Sequence, residues 1–202
     1  MLKNTILVAF IMVGAFVTKA QTPVLNENTS LSEKYESIIY KNFVGECDLM
    51  IAYTEESYWW GNRKFYNLLA LKKGIWFKGY LSSQLLKSGK WTYPKVKFKE
   101  VDPDSASSIV NYLKTAGLFK LSQDSLKITK KRINDSVYTA FSLSDGVNYK
   151  FEMLNKDKLT IIEAYEPEYF LQRIPDINAM AAFIKYRDWF TLKYKALEPI
   201  DE

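Results

Sequence analysis

A glycine turn between two segments of alternating apolar residues limits the fold of this chain more than any other feature. In residues 57–81, apolar side chains recur at every second position on either side of the Lys72–Gly74 segment. A period of two is typical of a half-buried β-strand, and a three-residue loop requires a glycine in the left-handed conformation. Such a loop sets Leu69 against Phe77 and makes one face wholly apolar, whereas a two-residue loop sets Leu69 against Lys78. We therefore predict the three-residue loop.

A second segment, from residue 137 to residue 153, has the same pattern around Ser144–Gly146. With these three residues as the loop, Phe141 faces Tyr149 and the flanking runs form a second hairpin. The run Leu159–Tyr165 follows a polar turn and is typical of a further strand. The sequence therefore predicts antiparallel ribbons joined by short loops.

Capping residues and apolar periodicity predict the remaining elements. Asp102 caps a helix, Pro103 suits its first turn, and Gly117 ends it. A first helix, capped by Ser32, runs to Asn42 with Tyr35, Ile38 and Ile39 on one side. Two strands are predicted, one beginning at Asp48 and one covering Lys95–Val101, and a short helical turn follows Pro167. Pro175 opens a last helix that has, on one side, Ile177, Met180, Ala181 and Ile184.

The order hairpin, strand, helix occurs twice along the chain. This order predicts an α+β fold in which antiparallel sheets of hairpins and meanders carry helices packed on one face. We expect residues 33–197 to form a single domain, which is a length that one hydrophobic core can support. The halves, about residues 48–117 and 118–194, are either two related β-meander-plus-helix units or two independent uses of a common hairpin.

The first twenty residues have the three parts of a secretory signal peptide. Lys3 precedes an apolar run that is too short for a comfortable membrane span, and small residues lie before a cleavage point at Ala20/Gln21. The alternative is a buried N-terminal helix. We expect residues 1–20 to be removed, residues 21–32 to form a flexible lead and residues 198–202 to form a tail. The mature protein is then secreted or periplasmic, without a membrane span.

The residue types exclude several classes of chemistry. The chain has no histidine, one cysteine and no glycine-rich phosphate loop, which removes histidine-based nucleophiles, histidine-ligated metals and thiolate clusters. We expect no metal and no cofactor, and we favour a protein that is not an enzyme. A hydrolase stays open, because a glycosidase needs only two carboxylates across a cleft. The neighbouring carboxylates are Glu46/Asp48, Glu55/Glu56 and Asp102/Asp104.

Charge and cysteine content bear on the partners of the protein. The formal net charge is +5, but the lysines are scattered rather than clustered, so we do not expect nucleic acid to be a partner. Cys47 stands at the head of an apolar run. A buried, unreactive thiol is the favoured interpretation, and an intermolecular disulfide is the alternative.

Aromatic and basic residues around the first hairpin are the candidate ligand-binding residues. Trp59 and Trp60 precede a Gly-Asn turn that lifts them to the rim of the sheet, and Tyr66 lies opposite Tyr80 on the face that is not wholly apolar. Such side chains stack on sugar rings or grip a peptide; alternatively, helices cover them and they belong to the core. The candidates are Trp59, Trp60, Arg63, Tyr66, Trp76, Lys78 and Tyr80.

The composition and the signal junction of the chain are distinctive. The junction is Ala-Gln, lysine is preferred over arginine, and tyrosine, asparagine and isoleucine are abundant. In these respects the chain resembles the secreted and periplasmic proteins of Bacteroidota whose functions are uncharacterised. Three triplets that begin at Asp104, Asp124 and Asp135 are similar to the short O-glycosylation signal of that phylum. The resemblance implies glycans on Ser105, Ser125 and Ser136.

These features favour an exported, non-enzymatic binding or interaction module of the cell envelope. The first alternative is a glycan-binding or glycan-cleaving envelope protein, and the second is an inhibitor or immunity-type protein. The expected partner is a glycan or another envelope protein.

Overall fold

The computed structural model describes residues 25, 27–57, 61–127, 129–133 and 138–200, so the predicted signal peptide lies outside the described residues. The helices are α1 (Leu31–Glu36), α2 (Ile38–Phe43), α3 (Pro103–Ala116), α4 (Pro167–Arg173) and α5 (Asn178–Ala196), with 3-10 turns at Leu118–Lys120 and Gln123–Leu126. The strands are β1 (Leu49–Ser57), β2 (Arg63–Lys72), β3 (Ile75–Gln84), β4 (Lys95–Glu100), β5 (Lys130–Arg132), β6 (Tyr138–Ala140), β7 (Val147–Asn155) and β8 (Lys158–Tyr165). Within these ranges, no helix combines the length and apolar character that a membrane span requires.

Six strands form one antiparallel sheet in the order β4-β3-β2-β1-β7-β8, and β5 pairs with β6 in a separate ribbon. The predicted α+β fold with antiparallel meanders is therefore confirmed. The first half of the chain contributes four consecutive strands to the sheet, whereas the second half contributes two strands and the ribbon. The two halves thus differ in strand order.

Both faces of the sheet are buried in its centre, as the unbroken run of buried residues at the start of β1 shows. The helix face, as we name it, carries Leu49, Ile51 and Tyr53 and packs against α3, α4 and α5. The opposite face, which we call the N-terminal face, carries Met50 and Ala52 and packs against α2. The sheet is therefore the middle of three layers.

The first hairpin has a two-residue turn, so the predicted three-residue loop is wrong. Lys72 pairs with Ile75, and the turn residues Lys73 and Gly74 have φ values of 52° and 81°, as a type I′ turn requires. Leu69 consequently pairs with Lys78, so apolar and charged residues share this face. Lys78 is tolerated on this covered face because its ammonium donates to the carbonyl of Leu197 at 3.1 Å.

The second predicted hairpin does not form. β7 pairs with β1 along eight residues and with β8 on its other side, while the segment before Gly146 pairs with β5. Gly146 instead lies beside Tyr165 and Glu166, and its N–H donates to the hydroxyl of Tyr165 at 2.7 Å. The strand after the polar turn is confirmed as β8, and Lys156 at φ 56° occupies the first turn position.

The helix over residues 103–116 is confirmed with both ends. The Asp102 carboxylate accepts from the Ser105 N–H at 2.7 Å, and Gly117 closes the helix at φ 105°. The predicted helix from Ser32 to Asn42 is instead two short helices capped by Ser30 and Ser37. In the last helix Met180 is buried as predicted but Ala181 is exposed, because the buried face of α5 continues through Phe183, Tyr186, Arg187, Phe190 and Tyr194.

Candidate binding surface

The seven predicted ligand residues do not lie together. Trp59 and Trp60 fall outside the described residues. Directly paired residues of antiparallel strands point to the same face, so the register of β1, β2 and β3 decides where the others lie. Arg63, Trp76, Lys78 and Tyr80 lie on the helix face, and Tyr66 lies alone among them on the N-terminal face. The predicted pairing of Tyr66 with Tyr80 is wrong, since the two-residue turn shifts the register by one.

Trp76 and Lys78 are covered by helices and are not available to a ligand. Trp76 is 4% exposed within the core under α3 and α5. The Lys78 ammonium donates to the Leu197 carbonyl just past the end of α5, at 3.1 Å, and lies 4.8 Å from the ring centroid of Tyr194. Burial, and then the charge of Lys99, lower the pKa of Lys78. Lys78 thus joins the C-terminal end of α5 to the sheet.

Tyr66 belongs to a buried polar cluster on the N-terminal face. Its hydroxyl donates to Glu152 at 2.9 Å, and Ser37, the N-cap of α2, donates to the other oxygen of the same carboxylate. The Lys150 ammonium lies 3.3 Å from Glu152 and 3.0 Å from Glu56. Burial opposes the charge on Lys150, but the two carboxylates outweigh it and raise the pKa of Lys150. The cluster therefore joins α2 to the sheet through the carboxylate of Glu152.

An open surface is left on the helix face at the corner formed by β2, β3 and β4. Phe65 is 52% exposed, and its ring lies 5.7 Å from that of the half-buried Tyr80 at an interplanar angle of 19°. The Lys97 ammonium lies 5.8 Å from the centroid of Tyr80. Arg63 and Lys95 are exposed on the same face. We call these five residues, Arg63, Phe65, Tyr80, Lys95 and Lys97, the cationic-aromatic surface.

No protein-family model matches this chain, and no curated protein or solved structure is significantly similar to it.

The geometry of the cationic-aromatic surface determines the kind of ligand that it can attract. Phe65, Tyr80 and Lys97 stand in a row across three neighbouring strands, so the ring of Tyr80 has Phe65 on one side and Lys97 on the other. Side chains rise from a sheet roughly perpendicular to it, and the edge of an aromatic ring carries partial positive charge. Ring edges and cations together therefore present an electropositive surface to solvent. The acidic residue on the same face of β1, Glu55, accepts from the Tyr53 hydroxyl at 2.8 Å.

Most of the sequence-adjacent carboxylates have structural contacts of their own. Glu46 and Asp48 contact Lys72 and the Lys73 N–H and so hold the first hairpin. Asp102 caps α3. Glu55 and Glu56 are neighbours in a strand and point to opposite faces of the sheet. In the described part of the chain, no three His, Cys, Asp or Glu residues are grouped in a way that could hold a metal.

The other predicted sites lie elsewhere on the molecule. Cys47 is buried, and this burial raises the pKa of its thiol to about 11, so the thiol is protonated at neutral pH. Ser105 is exposed in the first turn of α3, and Ser125 is half-buried in a 3-10 turn. Ser136 lies outside the described residues.

Sequence reasoning missed Phe65, Lys95 and Lys97. The three-residue loop placed Phe65 on the wholly apolar face, where it would have been core. The alternation of lysine with apolar residues in Lys95–Glu100 is the signal that could have pointed to an edge strand with one basic face.

Proposed function

We propose that this chain is a non-enzymatic binding module that works outside the cytoplasm. It recognises an acidic segment of another envelope protein through the cationic-aromatic surface. The observation that carries the proposal is the row of exposed Phe65, half-buried Tyr80 and exposed Lys97, with Arg63 and Lys95 on the same face of the sheet. Exposed apolar area beside like-signed charges is typical of an interaction site.

An acidic protein segment suits this surface better than a neutral sugar does. A sugar ring stacks on a free aromatic face, but both faces of Tyr80 have neighbours and only Phe65 offers an open side. Carboxylates, in contrast, are attracted by the ring edges and by the ammonium and guanidinium groups. Because the surface is exposed, we expect this attraction to depend on ionic strength.

A binding experiment with charge-matched variants tests the proposal. The probe is a fluorescein-labelled peptide of alternating glutamate and valine, and its affinity is measured by fluorescence anisotropy. Lys97→Glu should weaken binding by about tenfold, whereas Lys158→Glu should leave it unchanged. Both lysines are exposed, but Lys158 lies on β8 at the other edge of the sheet. Higher salt should weaken binding to the unaltered protein.

Three results would contradict the proposal. The first is equal binding of a peptide of alternating lysine and valine. The second is equal loss of affinity in the two charge-reversal variants, which would indicate an effect of net charge alone. The third is a preference for oligosaccharides over the acidic peptide, with Phe65→Ala abolishing sugar binding; this result would favour the glycan-binding alternative.

A further inference from the structure

The two edges of the six-stranded sheet differ in the hydrogen bonding of their outward backbone groups. At the β8 edge, the side-chain amide of Asn28 makes two hydrogen bonds to the backbone of Ile161, at 2.7 and 2.9 Å. The amide of Gln123 makes the same pair of bonds to Glu163, at 2.9 and 2.8 Å. Part of the segment predicted as a flexible lead is thus fixed to the sheet. These amides close the β8 edge, since they satisfy backbone groups that another strand would use.

The β4 edge has open backbone groups. The Val101 N–H donates to the Trp76 carbonyl at 3.0 Å. Opposed residues of an antiparallel pair alternate between hydrogen-bonded and non-hydrogen-bonded pairs, so this bond fixes the phase, that is, which residues of β4 are bonded to β3. In this phase the backbone groups of the three lysines of β4 point to β3, and those of Val96, Phe98 and Glu100 point outward. Among the residues that the structure describes, none makes a hydrogen bond to these outward groups.

We propose that β4 receives an extended segment of the acidic partner as a seventh strand of the sheet. This inference rests on the proposed function and specifies how the partner binds. A six-residue strand is about 20 Å long and offers three outward N–H and three outward C=O groups, which is the usual basis of recognition by strand addition.

The two faces of β4 specify the partner segment. Lys95 and Lys97 are exposed on the helix face, whereas Lys99 contacts the Pro199 carbonyl at 3.0 Å. On the N-terminal face Phe98 is 41% exposed and Val96 is half-buried. Opposite charges that face each other across two strands stabilise the pairing. The complementary segment therefore alternates acidic residues with apolar ones.

A second copy of the chain is a poorer occupant of this edge. If two β4 strands paired antiparallel through their outward groups, the lysines of one strand would lie opposite the lysines of the other. Like charges that face each other directly destabilise a strand pair. Lysines at a sheet edge are a known device against self-association, whereas they do not oppose an acidic strand.

Amide hydrogen exchange measured by NMR on the 15N-labelled protein tests this inference. The probe is the unlabelled peptide of alternating glutamate and valine. At saturation, exchange of the Val96, Phe98 and Glu100 amides should slow by at least about tenfold, because their N–H groups become hydrogen-bonded. The lysine amides of β4 are already bonded to β3, so their exchange should change little.

A matched pair of variants tests the role of the outward N–H. Val96→Pro removes one outward donor and should weaken binding by about tenfold, while Val96→Ala keeps the donor and should bind nearly as well as the unaltered protein. Circular dichroism checks that the proline variant is folded; if it is not, the exchange measurement decides alone.

The outcomes separate the two proposals. If the peptide shifts the signals of Phe65 and Tyr80 while exchange at Val96, Phe98 and Glu100 stays fast, the strand addition is wrong and the proposed function stands. If the peptide does not bind, both proposals fail. If exchange slows on raising the protein concentration without peptide, the occupant is a second copy and the inference is overturned.

Discussion

Gly79 shows how a single residue limits the packing of the sheet edge. A Cβ atom at this position would clash with the ring of Phe98 and would lie 2.6 Å from the Lys97 carbonyl oxygen. The ring covers the glycine from the neighbouring strand and contacts Phe43 and Phe77 on the N-terminal face. The absence of a side chain at residue 79 therefore allows an aromatic cluster to form beside β4.

Gly79→Ala should lower the free energy of unfolding by about 2–3 kcal/mol, because the added methyl group overpacks the edge. Urea denaturation monitored by circular dichroism measures the change. The Phe98→Ala background should reduce the penalty, since the ring is then gone, but should not abolish it because the Lys97 carbonyl remains. Equal stability of Gly79→Ala and the unaltered protein would show that β4 moves freely.

The hydroxyl of Tyr66 has Glu152 as its hydrogen-bond acceptor, at 2.9 Å. A buried hydrogen bond to a charged group contributes more than a neutral one, so Tyr66→Phe should lower the free energy of unfolding by about 2 kcal/mol. Tyr93 is 87% exposed, and Tyr93→Phe is the matched control, with no expected change. Chemical denaturation of both variants checks this, and equal effects would contradict the role of the cluster.

At the scale of elements, the turn of the first hairpin determines the face on which each neighbouring side chain lies. Lys73 adopts a positive φ of 52°, which costs an ordinary residue free energy but suits asparagine. Lys73→Asn should therefore raise the free energy of unfolding by about 0.5–1 kcal/mol and the melting temperature by about 1–3 °C. Calorimetry measures this shift.

Lys87→Asn is the control for this prediction. Lys87 is an exposed residue of the β3–β4 connection and is not among the residues with positive φ. The exchange of lysine for asparagine should leave the melting temperature unchanged there. If both variants were stabilised equally, the effect would come from the loss of charge and not from the conformation of the turn.

Elements with local signals were predictable from sequence, and those set by distant contacts were not. The helix between Asp102 and Gly117 carries its own caps, and the β7–β8 turn lies between its two strands. The second predicted hairpin failed because β7 finds its partners in β1 and β8. Alternation of side chains identifies a strand but does not identify its neighbour.

The candidate surface was predictable only in part, because it depends on how the C-terminal helix crosses the sheet. Arg63 and Tyr80 were identified from sequence, whereas Trp76 is buried in the core and Lys78 is held by the residue that follows α5. The C-terminal helix of nineteen residues crosses the helix face obliquely from β7 to β3, as the contacts of Phe183 and Tyr194 show. The part of a sheet that a helix leaves open depends on how the helix crosses it. The periodicity of a helical sequence does not specify that crossing.

Buried tyrosines make the stability of the whole molecule sensitive to alkaline pH. Tyr53, Tyr66 and Tyr194 are 1%, 1% and 6% exposed, and burial raises the pKa of each phenol above its ordinary value of about 10. Below about pH 10 both the folded and the unfolded chain keep these protons, so stability does not depend on them. Above that pH the unfolded chain loses them while the folded chain retains them.

The free energy of unfolding should therefore fall above about pH 10, by about 1.4 kcal/mol per pH unit for each retained proton and about 4 kcal/mol per unit for the three tyrosines together. The lowered pKa of Lys78 acts in the opposite direction, whereas the raised pKa of Lys150 acts in the same direction as the tyrosines. Urea denaturation between pH 7 and about pH 11 measures the slope, and the ultraviolet absorbance of tyrosinate follows ionisation. Tyr53→Phe should reduce the slope by about 1.4 kcal/mol per pH unit, while Tyr93→Phe should not change it. A stability that stays constant across this range would contradict the burial of these phenols, and with it the three-layer packing that encloses them.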